Sequence, residues 1–263
     1  MKIKSTLLAL AVLLPITISA QQSIRLHSHN DYTRTVPFWD AYNHHCNSIE
    51  ADIYWQEGQL LVGHNLEDLK PEKTFLRMYV EPIVKTFRAN GNRMWNDSGD
   101  RLMLLIDLKT PTEPTLSELI KLLEQYPDVF CTPNGVMITI TGNVPENERF
   151  QDYPAWVAFD GDLRKSYTPA QLERVPLVSN YFRLFAEKWD GYGQMTNSEL
   201  DAVKDAIEKA HSWGKPIRFW GAPESNTVYI TFWRLGVDFI NTDKPAASSN
   251  FFSDLKDKKF VID

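Results

Sequence analysis

Short apolar and β-branched runs recur along this chain with helical patterns between them, and this alternation limits its fold more than any other feature. The runs are IRLH at 24–27, SIEADIYW at 48–55, LMLLIDL at 102–108, VMITI at 136–140, WVAFD at 156–160, PLVS at 176–179, PIRFW at 216–220 and DFIN at 238–241. Several are apolar throughout, as strands buried on both faces of a parallel sheet should be. LLVGH at 60–64 reads as a hairpin addition, with Gln56, Glu57, Gly58 and Gln59 as its turn. Thr115 with Glu118, and Thr196 with Glu199, have capping-box spacing ahead of amphipathic helices. Eight strands alternating with helices, and no linker rich in Gly, Ser or Pro, predict an α/β fold with a single (β/α)₈ TIM barrel. A GxGxxG loop is absent, which weakens the case for a dinucleotide-binding sheet.

In an extended strand alternate side chains share a face, so Ile49, Ala51 and Ile53 point one way while Glu50 and Asp52 point the other. Two unpaired charges inside a barrel are very costly without a cation. Asp107 repeats the pattern after Leu104, Leu105 and Ile106, with Lys109 on its face. Such hard oxygen donors suit one divalent cation, Mg²⁺ or Ca²⁺. Catalytic groups of a barrel belong at the C-terminal ends of its strands, and the candidates fall there. His27 and His29 end the first run, Glu50 and Asp52 the second, Asp107 and Lys109 the third, Trp220 the seventh, and Asp243 follows the eighth.

His64, closing LLVGH, and His29 are the candidates for general acid and base, with His27 sharing the face of His29. Lys109 is well placed for a phosphate oxygen. His44, His45 and His211 read as surface or packing residues. Tyr181, Phe182, Phe185, Trp189 and Tyr192 either line a substrate mouth or pack their loop onto the rim.

The N-terminal MKIKS, the apolar stretch that follows and Ala20 read as a secretory signal peptide cut before Gln21, leaving a domain at 21–263 exported to the periplasm or outside the cell. Pro15 interrupts that stretch, which is short for a stable membrane span. Without Lys2 and Lys4 the net charge falls from −6 to −8. So acidic a domain, with no run of Lys or Arg, is a poor partner for nucleic acid. Cys46 and Cys131 read as two free thiols.

HSHNDY, PFWDAYNHHCNSIEADIYW, LLVGH, LLIDLKT and GVDFINTDKP, in that order, resemble the superfamily that holds glycerophosphodiester phosphodiesterases, phosphatidylinositol-specific phospholipases C and sphingomyelinases D. Within it the chain looks like the branch of "altered inheritance of mitochondria protein 6". The resemblance runs from about residue 24 to 246. It implies metal ligation by Glu50, Asp52 and Asp107 and catalysis by His64 with one histidine of HSHN, taken as His29. It further implies phosphate or substrate contacts from His27, Asn30, Lys109, Trp220 and Asp243. The histidine-arginine-glycine start of typical glycerophosphodiesterases is missing, and Asn30 stands near its place.

The expected activity is therefore metal-dependent cleavage of a glycerophosphodiester, phospholipid-headgroup or related small-molecule or lipid phosphodiester. Two alternatives stand beside it. His27-Ser28-His29 could be the H-x-H of a zinc amidohydrolase, which wants further histidines on later strands. The eight tryptophans could instead serve a non-catalytic ligand-binding barrel.

Overall fold

The computed structural model describes residues 24–257, so the expected signal peptide at 1–20 lies outside the described residues. All eight predicted runs form strands. They are β1 (Arg25–Ser28), β2 (Ser48–Gln56), β4 (Met103–Leu108), β5 (Met137–Gly142), β6 (Val157–Phe159), β7 (Val178–Tyr181), β8 (Ile217–Trp220) and β9 (Phe239–Thr242), with the hairpin strand β3 (Gln59–Val62) between β2 and β4. The strands order as β6-β5-β4-β2-β1-β9-β8-β7, all parallel, while β3 pairs antiparallel with β2. Glu57 and Gly58 turn that hairpin with φ of 51° and 78°, the left-handed pair that a two-residue reversal needs. β3 stops at Val62, which leaves His64 in the following loop rather than on the strand.

The result is a TIM-barrel-like curled sheet, coarser than the complete barrel predicted. The end strands β6 and β7 share no ladder. They meet at one bridge, where Gly161 N donates to Leu177 O at 2.8 Å and Ser179 N donates to Gly161 O at 3.0 Å. A Cβ at Gly161 would sit 2.7 Å from Val175 Cγ1, so only glycine permits this approach. β6 is also too short to extend the pairing.

Helices cover the outer face. Ile49, Ala51 and Ile53 of β2, fully buried, pack outward into the main hydrophobic core. Each isoleucine contributes about 1.5–3 kcal/mol by leaving water. The helix Asn197–Ser212 begins as predicted: Thr196 and Glu199 cap each other, with Glu199 N donating to Thr196 Oγ1 at 3.3 Å and Thr196 N to Glu199 Oε2 at 3.1 Å. The Thr115/Glu118 expectation is wrong. Thr115 lies inside the helix Thr112–Leu123, buried, with its hydroxyl 2.7 Å from that of Thr110, and Glu118 pairs with Lys121. Glu113 is extended at φ −106° and ψ 137°, so Thr115 falls within the first regular turn, and spacing alone could not tell a residue ahead of a helix from one inside its first turn. Among the described residues no helix is long and apolar enough to cross a membrane.

The inner face is graded along the strands. Toward their N-terminal ends Met103, Leu177 and Phe239 pack together with Met137 as an apolar plug. One pleat further, register places His27, Glu50, Thr139, Ser179, Arg218 and Asn241 inward. The last pleat carries Asp52, Asp107 and Thr141. Polarity thus rises toward the end where a barrel's chemistry resides.

The loop after β1 crosses that end and is fastened from beneath by Asp31, fully buried. Its carboxylate accepts from Ser28 Oγ at 2.9 Å, Phe38 N at 2.6 Å and Tyr79 OH at 3.0 Å. Phe38 has a φ of 65°, which a bulky residue adopts only when held. Asp31→Ala strands buried donors at Phe38 and Tyr79 and should cost about 2–3 kcal/mol in urea denaturation. A loss under about 0.5 kcal/mol, the size of an ordinary surface substitution, would remove Asp31 from this role.

Candidate active site

Register builds the acidic centre. Asp52 of β2 stands opposite Asp107 of β4, with Glu50 one pleat behind Asp52 on the same face. One oxygen from each of the three lies within 4.8 Å of the others. Lys109 bridges the outer two, its Nζ 3.0 Å from Asp52 Oδ2 and 2.7 Å from Asp107 Oδ2. Glu50 Oε2 accepts from Arg218 Nη1 at 2.9 Å and lies 2.8 Å from His27 Nε2. Three carboxylates thus meet two permanent cations, and a negative excess remains.

The residues fit a hard divalent cation. Asp52 Oδ1 is buried without a hydrogen-bond partner, a state that costs about 1–3 kcal/mol if nothing else engages it. The donor set is all oxygen, as Mg²⁺ and Ca²⁺ prefer. Burial first, then the charges of Glu50 and Asp107, raises the Asp52 carboxyl above its usual range. Burial would raise Glu50 too, but the His27 hydrogen bond and the Arg218 charge outweigh it and hold Glu50 well below that range. Gly142 makes room beside Asp107: at its φ of 76° a Cβ would fall 1.9 Å from Asp107 Oδ1.

The two histidines of HSHN have different surroundings. His27 is fully buried, with Nδ1 2.8 Å from Ser48 Oγ and Nε2 against Glu50 and Arg218. Burial and the Arg218 charge push it down to about 3, so it stays neutral. Expected at the phosphate, it instead sits behind Glu50 and supports it. His29 opens to the cavity and pairs through Nδ1 with Asp243 Oδ1 at 2.8 Å. Burial opposes its protonation, but the Asp243 hydrogen bond and the Glu50 charge prevail and raise it. His64, 54% exposed, lies 3.3 Å from Asp52 Oδ2 and 3.1 Å from Tyr32 OH. Neither pairing of the H-x-H histidines converges with the other, and among the described residues the metal-competent cluster is entirely carboxylate.

A cavity of about 530 Å³ opens above these groups, bordered by Asn30, His64, Lys109, Asp160, Arg218 and Trp220 among others. Trp220 leans on Tyr181 with ring centroids 4.5 Å apart, both exposed at the mouth. The neighbouring aromatics divide between the two predicted roles. Phe182 and Trp189 are buried and pack the loop, while Tyr181 reaches the mouth. His44 Nδ1 lies 2.7 Å from Asp40 O, which accepts from it, His45 stacks on Trp95 and His211 pairs with Asp238 at 2.8 Å, all away from the cavity. Cys46 and Cys131 are both free thiols.

Sequence reasoning missed three groups. Arg218 sits in PIRFW two residues before Trp220, so the alternation that singled out Glu50 and Asp52 also aims it inward. Tyr32 OH lies 2.7 Å from Asp52 Oδ2 and 2.6 Å from Asn30 Oδ1, and its single proton serves only one of them. Asp160 follows β6 and borders the cavity, with Oδ1 buried and unpartnered.

Comparisons with known proteins agree with this architecture. Residues 17–129 match the AIM6-like phosphodiesterase domain. The altered inheritance of mitochondria protein 6 homolog of Arthroderma benhamiae is 25% identical over 263 residues, covering 87% of this chain and 84% of that protein. The Kluyveromyces lactis altered inheritance of mitochondria protein 6 is 26% identical over 301 residues, covering 86% and 71%. Among solved structures, a glycerophosphodiester phosphodiesterase from Parabacteroides distasonis superposes with a TM-score of 0.57 at 12% identity, over 89% of this chain and 99% of that one. A putative glycerophosphoryl diester phosphodiesterase from Silicibacter pomeroyi gives 0.53 at 13% identity, over 89% and 95%. At such identities the structures establish the fold, a TIM-barrel-like α/β scaffold of the glycerophosphodiesterase kind. The chain is thus similar over residues 17–129 to the AIM6-like phosphodiesterase domain, and over most of its length to the altered inheritance of mitochondria protein 6 relatives.

Burial pushes the Asp160 carboxyl up to about 7, against the Arg218 charge and hydrogen bonds from Ser179 and Thr141. An unfolded aspartate releases its proton near 3.8, so the folded state loses relative stability as the pH rises from there to about 7. Asp160→Asn abolishes that loss. Its melting temperature relative to the parent should climb between pH 4 and pH 7.5, and a difference that stays constant with pH would contradict the assignment.

Proposed function

We propose that this chain is an exported, metal-dependent phosphodiesterase acting on a glycerophosphodiester, a phospholipid headgroup or a related diester. The observation that carries the reading is the convergence of Glu50, Asp52 and Asp107 oxygens under a cavity flanked by His29 and His64. The matched phosphodiesterase domain supports the reaction class. The apolar leader at 1–20 is the basis for export.

A divalent cation held by the three carboxylates would offset charge on a nonbridging phosphate oxygen. The chain's own residues do the rest. Asp243 holds His29 by Nδ1, which leaves Nε2 as the nitrogen that takes a proton from the attacking hydroxyl, whether of water or of the substrate itself. His64, tethered loosely beside Asp52 and exposed to the cavity, returns a proton to the leaving oxygen. Lys109 adds positive charge at the rim, and Asn30 offers an amide to the phosphate. Trp220 and Tyr181 give the leaving group an aromatic wall. His27 and Arg218 fix Glu50 in place rather than touching the substrate.

A panel of glycerophosphodiester, lysophospholipid and aryl phosphodiester substrates with Mg²⁺ or Ca²⁺ tests the activity. Glu50→Gln and Asp107→Asn should each lower turnover by about 10³-fold, and His64→Ala by about 10²–10⁴-fold, with circular dichroism unchanged. Chelation should abolish the parent's activity. Full turnover by Glu50→Gln after chelation would sink the reading.

A further inference from the structure

A second cavity, of about 480 Å³, lies between the loop at 32–39 and the segment at 73–82. Its charged lining consists of Arg34, Lys73 and Arg77, and no carboxylate borders it. In a chain of net charge −6, three cations line one hollow with no carboxylate among its lining residues. Among the described residues Lys73 and Arg77 form no ion pair. Arg34 holds His29 O through Nη2 at 2.7 Å and lies 3.5 Å from Asp243, yet its Nε is buried and unpartnered.

We propose that this cavity is a second anion site that takes a phosphate group. Three cations in one hollow repel each other, and a dianion relieves that repulsion. Guanidinium groups match phosphate oxygens in a bidentate fork, and an ammonium supplies a further point charge. The hydroxyl of Thr35 at the edge adds a donor. The volume exceeds that of a bare phosphate, and Pro37, Trp39 and Pro82 offer an apolar wall to whatever the phosphate is esterified to. A soluble phosphate ester and a lipid headgroup share this chemistry.

The site lies back to back with the acidic centre. Tyr32 borders it while placing its hydroxyl 2.7 Å from Asp52, and Arg34 joins it to the His29–Asp243 pair. Binding here does not require turnover, so the proposal stands apart from the catalytic assignment.

The test uses the whole chain and the double variant Lys73→Gln/Arg77→Gln, two residues outside the catalytic groups. Calorimetry with inorganic phosphate and with glycerol 3-phosphate reads the soluble arm. Co-sedimentation with phosphatidylcholine vesicles, with and without phosphatidic acid, reads the lipid arm. Any affinity of the main cavity is common to both proteins, so the difference between them isolates this site. The parent should bind in at least one arm about tenfold more tightly than the variant, with the gap narrowing as salt is raised. A gap confined to vesicles assigns a lipid headgroup, and a gap in calorimetry assigns a free phosphate ester. Equal binding by the two proteins in both arms, or none by the parent, overturns the proposal. Matching melting curves guard against a folding defect.

Discussion

The parallel pairing of β2 with β4 is the constraint on which the site depends. It sets Asp52 beside Asp107 and lets one ammonium, Lys109, serve both. Two carboxylates on neighbouring strands repel, and a shift of one residue would turn both sets of side chains outward into the apolar core. The register is therefore held by the opposite face. Ile49, Ala51, Ile53, Leu104, Ile106 and Leu108 are buried there, and their packing keeps the acids on the inner face of the sheet.

Beneath the rim lies a buried polar network rather than a continuous apolar core. His27, Ser48, Glu50, Ser179, Arg218 and Asn241 are joined by hydrogen bonds across five strands. Such a network stabilises only when its members are satisfied, and breaking one partner leaves a buried charge exposed to a low dielectric. Here Arg218 matches Glu50, and neutral His27 spans Glu50 and Ser48. The arrangement gives Glu50 a fixed charge and a fixed direction. Asp52, by contrast, keeps one oxygen unengaged. That contrast between a settled and an unsettled carboxylate sets the position at which a cation gains most.

Much of this was legible in the chain. All eight runs became strands, and the E-x-D alternation placed Glu50 and Asp52 inward because the period of a strand is two. The acidic cluster of Glu50, Asp52 and Asp107, the place of Lys109 beside it and the rim position of Trp220 followed from the same rule. Arg218 obeyed it as well and was overlooked, since a lone arginine in an apolar strand carries no motif. Tyr32 and Asp160 could not be read locally. Their importance comes from neighbours 19 residues away or more, such as Asp52 for Tyr32 and Ser179 for Asp160. Thr115 failed for the reverse reason, a local signal overruled by burial and by a hydroxyl contact with Thr110.

The amino-acid order by itself determined the strand-helix alternation, the inward aim of the acids and the likeness to AIM6-like phosphodiesterases, because these depend on periodicity and on short motifs. Only the tertiary structure decided which histidine opens to the cavity, which cation neutralises which acid, and how nearly the sheet closes. HSHN carries His27 and His29 on one face, and nothing in those letters says that Ser48 and Arg218 will enclose the first while Asp243 draws the second outward. The single bridge between the ends of the sheet likewise rests on a glycine at 161 meeting Val178. Contacts between residues far apart in the chain are set by packing, and packing is a property of the folded whole.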